Sequence, residues 1–131
     1  MFFDNDIEAV RPLDLNHAAF TGFQRSDTCE CCINNAVFGC EPGHPVAKEI
    51  LRRIEASDPG GFPLVSGPGI PTDVLHEWGL VGLNVEQKVR DVMVYDKERF
   101  YPFWYTERLD RSRLTPRTFA IHLWEGTWTK K

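Results

Sequence analysis

A strand that runs almost directly into a helix is the strongest constraint in this chain. Ala36 to Cys40 is a short apolar run of the kind a buried strand requires, and Pro42-Gly43 closes it. From Pro45 to Ala56 the period changes. Val46, Ala47, Ile50, Leu51 and Ile54 fall on one stripe, with Lys48, Glu49, Arg52, Arg53 and Glu55 away from it. Pro45 suits the first helical position, where a missing N–H costs nothing, and Ser57 to Gly61 ends the helix. Such a helix must lay its stripe on an apolar sheet. With 131 residues, 42% of them hydrophobic and 12% aromatic, the chain can bury one core and has little room for two. The expected fold is one α/β domain over residues 1–131, with α+β as the variant: a small mixed sheet of four to six strands with helices packed on it.

The remaining elements are shorter. Met1-Phe2-Phe3 reads as the end of a buried strand, Ile7 to Leu13 as strand or extended chain, and Phe20 to Phe23 as a further strand. A second helix is expected from Thr72, as N-cap, to Trp78, with Gly79 as its stop. Val89 to Tyr95 and Phe119 to Trp124 read as strands. Between them Lys97 to Arg117 is a long irregular stretch holding Phe100, Tyr101, Phe103, Trp104, Tyr105 and Arg99, Arg108, Arg111, Arg113 and Arg117. It reads either as an aromatic and cationic lid over a sugar and phosphate or as aromatic packing under a solvated arginine face.

A net charge of −4 argues against binding to nucleic acid, because neutralising phosphates takes a basic surface. No apolar stretch approaches the roughly 20 residues of a membrane span, and no leader pattern opens the chain. A soluble, cytoplasmic protein is the expectation. Cys29, Cys31, Cys32 and Cys40 depart from the paired spacing of common zinc folds. They are expected to be reduced thiols, with a small zinc protein, His44 included, as the alternative. His17 and His76 are read as surface residues, and His44 as part of the helix N-terminus.

Asp4-Asn5-Asp6 and the segment His122 to Trp128 carry the chemistry. In extended chain, residues two apart point the same way, roughly 7 Å apart, so Asp4 and Asp6 can face one ion. Hard oxygen ligands suit Mg²⁺ or Mn²⁺, which complete their shells with water or substrate phosphate. His122 adds an imidazole, and Trp128 an indole N–H able to reach a phosphate. Asn35 can donate to and accept from a sugar hydroxyl, while Gly67 and Gly69 permit close backbone approach to a ligand. Each residue also has a plain structural reading: turn, core histidine, aromatic anchor, strand end and tight turn. Trp124 is assigned to packing.

In order along the chain, Asp4 to Asp14, Ile33 to Pro45, Ser66 to Gly69, Phe100-Tyr101-Pro102 and His122 to Trp128 resemble the family 32 glycosyltransferases, which carry the DXD sugar-binding region. The resemblance implies the C-terminal part of a GT-A fold, with Asp4, Asp6 and His122 holding Mn²⁺ or Mg²⁺. It also implies transfer of a hexose from a nucleoside-diphosphate sugar to a glycan acceptor with retention. In that family a nucleotide-binding half precedes the DXD strand, whereas this chain begins on the motif. The expectation is therefore a separately encoded N-terminal partner or a homo-oligomer. The alternative is an inactive homodimer serving as a binding or structural module.

Overall fold

The computed structural model describes residues 1–13, 16–24, 32–57 and 68–126. A five-stranded mixed sheet forms its centre, built from β1 (Phe2–Phe3), β3 (Ala19–Phe23), β4 (Ile33–Cys40), β5 (Gln87–Val89) and β6 (Val92–Tyr95). Their spatial order is β1-β4-β3-β6-β5, with β3 and β6 parallel and the other neighbours antiparallel. A separate two-stranded ribbon joins β2 (Ile7–Ala9) to β7 (Ala120–His122), so that Ile7 faces His122 across it. This is the small mixed-sheet α/β architecture expected from the sequence.

Helices α1 (Pro45–Glu55) and α2 (Gly69–Glu77) cover one face of the sheet. Val46, Val74 and Leu75 pack there against Ala19, Phe23, Ile33, Val92 and Val94. Each such side chain withdrawn from water contributes roughly 1.5–3 kcal/mol. On the opposite face Phe20, Val37, Tyr95, Phe100, Tyr101 and Ala120 form a second, largely aromatic cluster, with Phe100 at the end of the short helix α3 (Lys97–Phe100). The alternation of β3 and β6 divides the two clusters: Ala19, Phe23, Val92 and Val94 point one way, Phe20 and Tyr95 the other. Gly39 stands opposite Phe20 because that ring lies over it; a Cβ there would come within 2.2 Å of Phe20.

Several boundaries differ from those expected. The first strand is an edge strand, and Phe2 is 54% exposed instead of buried. The α1 stripe is only partly covered: Val46 is buried while Leu51 and Ile54 face solvent. Helix α2 starts at Gly69, not after Thr72. The Thr72 hydroxyl is occupied inside the helix, donating to the Pro68 carbonyl at 2.7 Å and accepting from the Ile33 N–H at 2.9 Å. Pro71 is tolerated because N–H groups of a first helical turn have no intrahelical partner. Val89 to Tyr95 is no single strand but part of a hairpin turning at Arg90-Asp91. Arg90 takes the left-handed conformation (φ +54°), with its guanidinium 4.1 Å from the centre of the Trp78 ring. Neither turn residue is glycine or asparagine, so the usual hairpin signal is missing.

Among the described residues no helix is long and apolar enough to cross a membrane. Cys32 is disulfide-bonded and Cys40 is a free, half-buried thiol, which corrects the expectation of four reduced thiols. The zinc alternative loses Cys32 as a thiolate ligand. It also loses His44, which caps α1 by accepting the Val46 N–H on Nδ1 at 3.1 Å. Cys29 and Cys31 lie outside the described residues.

Candidate functional site

The acidic tripeptide lies between β1 and β2, and it is a turn. The Ile7 N–H donates to the Asp4 carbonyl at 3.1 Å, and the Asn5 N–H to Asp4 Oδ1 at 2.8 Å. The extended geometry expected for Asp4 and Asp6 is thus replaced by a β-turn, which Asp and Asn favour. The turn still gathers the two carboxylates. Asp4 is pinned to the sheet through its N–H, which donates to the Ala36 carbonyl at 2.9 Å. Asp6 is pinned to the far end of the chain: its carbonyl accepts from the Leu123 N–H at 2.8 Å and its Oδ2 from the Glu125 N–H at 3.0 Å.

A feature of β4 makes that attachment possible. Phe20 pairs with Gly39 and Gly22 with Asn34, so residues 35–38 of β4 stand opposite Thr21 alone. This bulge turns Val37 and Phe38 toward β1, where they pair with Phe3 and Phe2. The Thr21 hydroxyl lies 3.3 Å from the Asn34 carbonyl and 3.2 Å from that of Val37. Tyr101, fully buried, stitches the bulge from the other side: its hydroxyl donates to the Asn34 carbonyl at 3.0 Å and accepts from the Val37 N–H at 3.1 Å. Burial raises the Tyr101 pKa well above the phenol range, and the charges of Asp4 and Asp6 push the same way. The phenol therefore stays neutral and serves as a strut.

His122, at the end of β7, brings its Nε2 to 3.1 Å from Asp6 Oδ1. One ligand atom from each of Asp4, Asp6 and His122 can be chosen so that all three lie within 4.8 Å of one another. Two carboxylate oxygens and an imidazole nitrogen form a mixed donor set able to hold a divalent cation, the carboxylates being the part suited to Mn²⁺ or Mg²⁺. Burial lowers the His122 pKa from its ordinary value, opposed by the nearby charges of Asp6 and Asp4. The balance favours the neutral ring, the form that ligates metal. Among the described residues His122 Nδ1 is buried without a hydrogen-bond partner, so Asp6 is the one polar group the ring engages there. Its faces are packed, with Tyr101 edge-on at 5.7 Å between ring centres and Trp124 at 4.0 Å.

The other expected residues fall elsewhere. Asn35 is half-buried in the bulge, next to the Ala36 carbonyl that receives the Asp4 N–H. Its neighbour Asn34 is committed to structure, with Oδ1 accepting the Ala36 N–H and Nδ2 donating to Gln24. Gly69 opens α2 in the helical layer, lining a cleft with Arg52, Arg53, Ser57 and Asp73 on the side of the sheet away from His122. Gly67 and Trp128 lie outside the described residues. Four of the five arginines of the long stretch are paired with carboxylates. Arg99 and Arg117 pair with Glu86, Arg117 also with Asp96, Arg111 with Glu8, and Arg113 with Glu107. Trp104 and Tyr105, two of the aromatics the sequence offered for a covering segment, join Trp124, whose ring lies 4.0 Å from that of His122.

No protein-family model, no curated protein and no solved structure matches the chain.

Proposed function

We propose that this chain carries the metal-binding part of a glycosyltransferase, in which Asp4, Asp6 and His122 hold Mn²⁺ or Mg²⁺ against the diphosphate of a nucleoside-diphosphate sugar. The observation that supports this reading is the meeting of the two chain ends: residues more than a hundred positions apart place two carboxylates and a neutral imidazole in one small volume. The order of motifs along the sequence, resembling that of family 32 glycosyltransferases, names the ligand class.

A divalent cation bound there would neutralise the charge that develops on the departing diphosphate. The bond between the anomeric carbon and the diphosphate oxygen breaks, the acceptor oxygen bonds to that carbon, and its proton passes to the leaving phosphate oxygen. No side chain has to act as a strong base. Asp6 is oriented by the Leu123 and Glu125 N–H groups and Asp4 by the Asn5 N–H. The carboxylates are thus held in place before any ligand arrives, as an electrostatic site requires. Family resemblance further implies that a nucleotide-binding unit completes the donor site.

Thermal unfolding tests the proposal. Mn²⁺ with UDP, GDP or their hexose conjugates should raise Tm, since a ligand at about 100 times its Kd stabilises the native state by about 2.7 kcal/mol. Absence of any shift at millimolar concentrations, for the chain alone and with a candidate partner, would reduce the cluster to a structural histidine-carboxylate contact.

A further inference from the structure

Phe100, Tyr101 and Phe103 are buried, whereas Tyr105 is 63% exposed and Trp104 and Trp124 are half-buried. The outward-facing three form one contiguous group. Trp104 and Tyr105 stand edge-to-face with ring centres 4.7 Å apart, Trp104 and Trp124 4.9 Å, and Tyr105 and Trp124 6.4 Å. Trp124 in turn lies 4.0 Å from the His122 ring, so the aromatic group adjoins the Asp4, Asp6 and His122 cluster directly.

The group is held rigidly and at a cost. Trp124 has φ +55°, a left-handed conformation that is an outlier for a bulky residue. Its indole N–H donates to the Phe103 carbonyl at 2.8 Å, and the flanking Leu123 and Glu125 N–H groups are both spent on Asp6. The Trp104 N–H donates to Glu107 Oε2 at 2.7 Å. A strained tryptophan is thereby fixed between a candidate metal ligand and a solvent-facing tyrosine.

We propose that Tyr105, Trp104 and Trp124 form the platform on which the acceptor saccharide lies, its apolar C–H face against the rings. This inference rests on the reading above, because it is the transfer step that requires a sugar here. The acceptor hydroxyl must reach the anomeric carbon attached to the diphosphate, so the acceptor ring occupies the first layer beyond the metal ligands. Trp124 occupies the floor of that layer. Rings that are large, rigid and partly polar supply contact area at low entropic cost, and the edges of a sugar remain free to bond water or protein.

The test uses saturation-transfer-difference NMR with methyl α-D-mannopyranoside, methyl β-D-galactopyranoside and methyl β-D-glucopyranoside, with EDTA present so that metal binding plays no part. The wild-type chain should transfer saturation to C–H protons on one face of at least one glycoside. Tyr105→Ala should reduce the transfer at least about fivefold, Tyr105→Phe should retain it, and Asp91→Asn, at an exposed hairpin acid beside His44, should leave it unchanged. No transfer from the wild type, or equal transfer in Tyr105→Ala, overturns the platform while leaving the Mn²⁺ thermal-shift test untouched. Weakened Mn²⁺-UDP or Mn²⁺-GDP binding in Tyr105→Ala with unchanged glycoside transfer also overturns it, assigning the rings to a nucleobase instead.

Discussion

His44 and His122 look alike at first inspection. Each is buried, at 5% and 8% exposure, and each brings Nε2 within about 3 Å of an aspartate, Asp91 and Asp6 respectively. Their surroundings separate them. His44 Nδ1 is used as the cap of α1, and its aspartate is a solitary, 54% exposed side chain on a hairpin turn. His122 performs no capping, its aspartate is only 14% exposed, and a second carboxylate, Asp4, joins the same volume. A histidine beside a carboxylate is therefore not a site in itself. What distinguishes His122 is the second acid, the absence of a capping role, and the aromatic rings packed against it.

The sharpest way to break this comparison is to remove each aspartate. Asp6→Ala should weaken Mn²⁺ binding by more than tenfold, about 1.4 kcal/mol or more, measured by electron paramagnetic resonance of free Mn²⁺. Asp91→Ala should leave that affinity unchanged. Equal effects from both would show that neither acid belongs to a metal site.

A smaller effect separates the histidines by stability. His44→Ala removes the α1 cap and should cost about 1–2 kcal/mol in urea unfolding without altering the Mn²⁺ response. His122→Ala should lose the Mn²⁺ response, whatever it does to stability. A His44 variant that lost the response would merge the two sites again.

The gentlest probe is pH. Burial holds the folded-state pKa of His122 below its ordinary value of 6.5, while the charges of Asp6 and Asp4 pull it upward. The unfolded chain therefore takes up this proton more readily than the folded one. The stability linked to His122 is present above about 6.5 and declines as pH falls from there through the lowered folded value. Asp6→Asn removes one of the upward pulls, so the His122 midpoint followed by NMR should move further down. An upward movement would mean that the Asp6 carboxylate does not favour the protonated ring.

Much of the frame was legible from residue pattern. The change of period at Pro45 marks α1, whose observed span of Pro45–Glu55 ends one residue before that read from the sequence, and Gly79, at φ +109°, follows the end of α2. The Arg90-Asp91 hairpin was not legible, because a left-handed arginine is stabilised by Trp78, a partner outside the local sequence. The long arginine-rich stretch was open to two readings for a related reason. Its charges suggest a lid until Glu8, Glu86, Asp96 and Glu107 are seen to hold four of the five arginines. The helical cleft at Gly69 and the cluster at His122 fall on opposite faces of the sheet, which spacing along the chain does not reveal.

By itself the sequence determined which groups were available: two hard oxygen donors near one end, an imidazole near the other, and amphipathic segments that commit the chain to a sheet covered by helices. Local patterns set these because period, capping and turn chemistry act over a few residues. Only the tertiary structure decided that the donors meet. The β4 bulge carries β1 to the place where the Asp4–Asp6 turn faces β7, and the Ile7 and His122 pairing closes the gap between positions 115 residues apart. That convergence is a property of sheet register, in which a shift of one residue would turn every side chain to the opposite face.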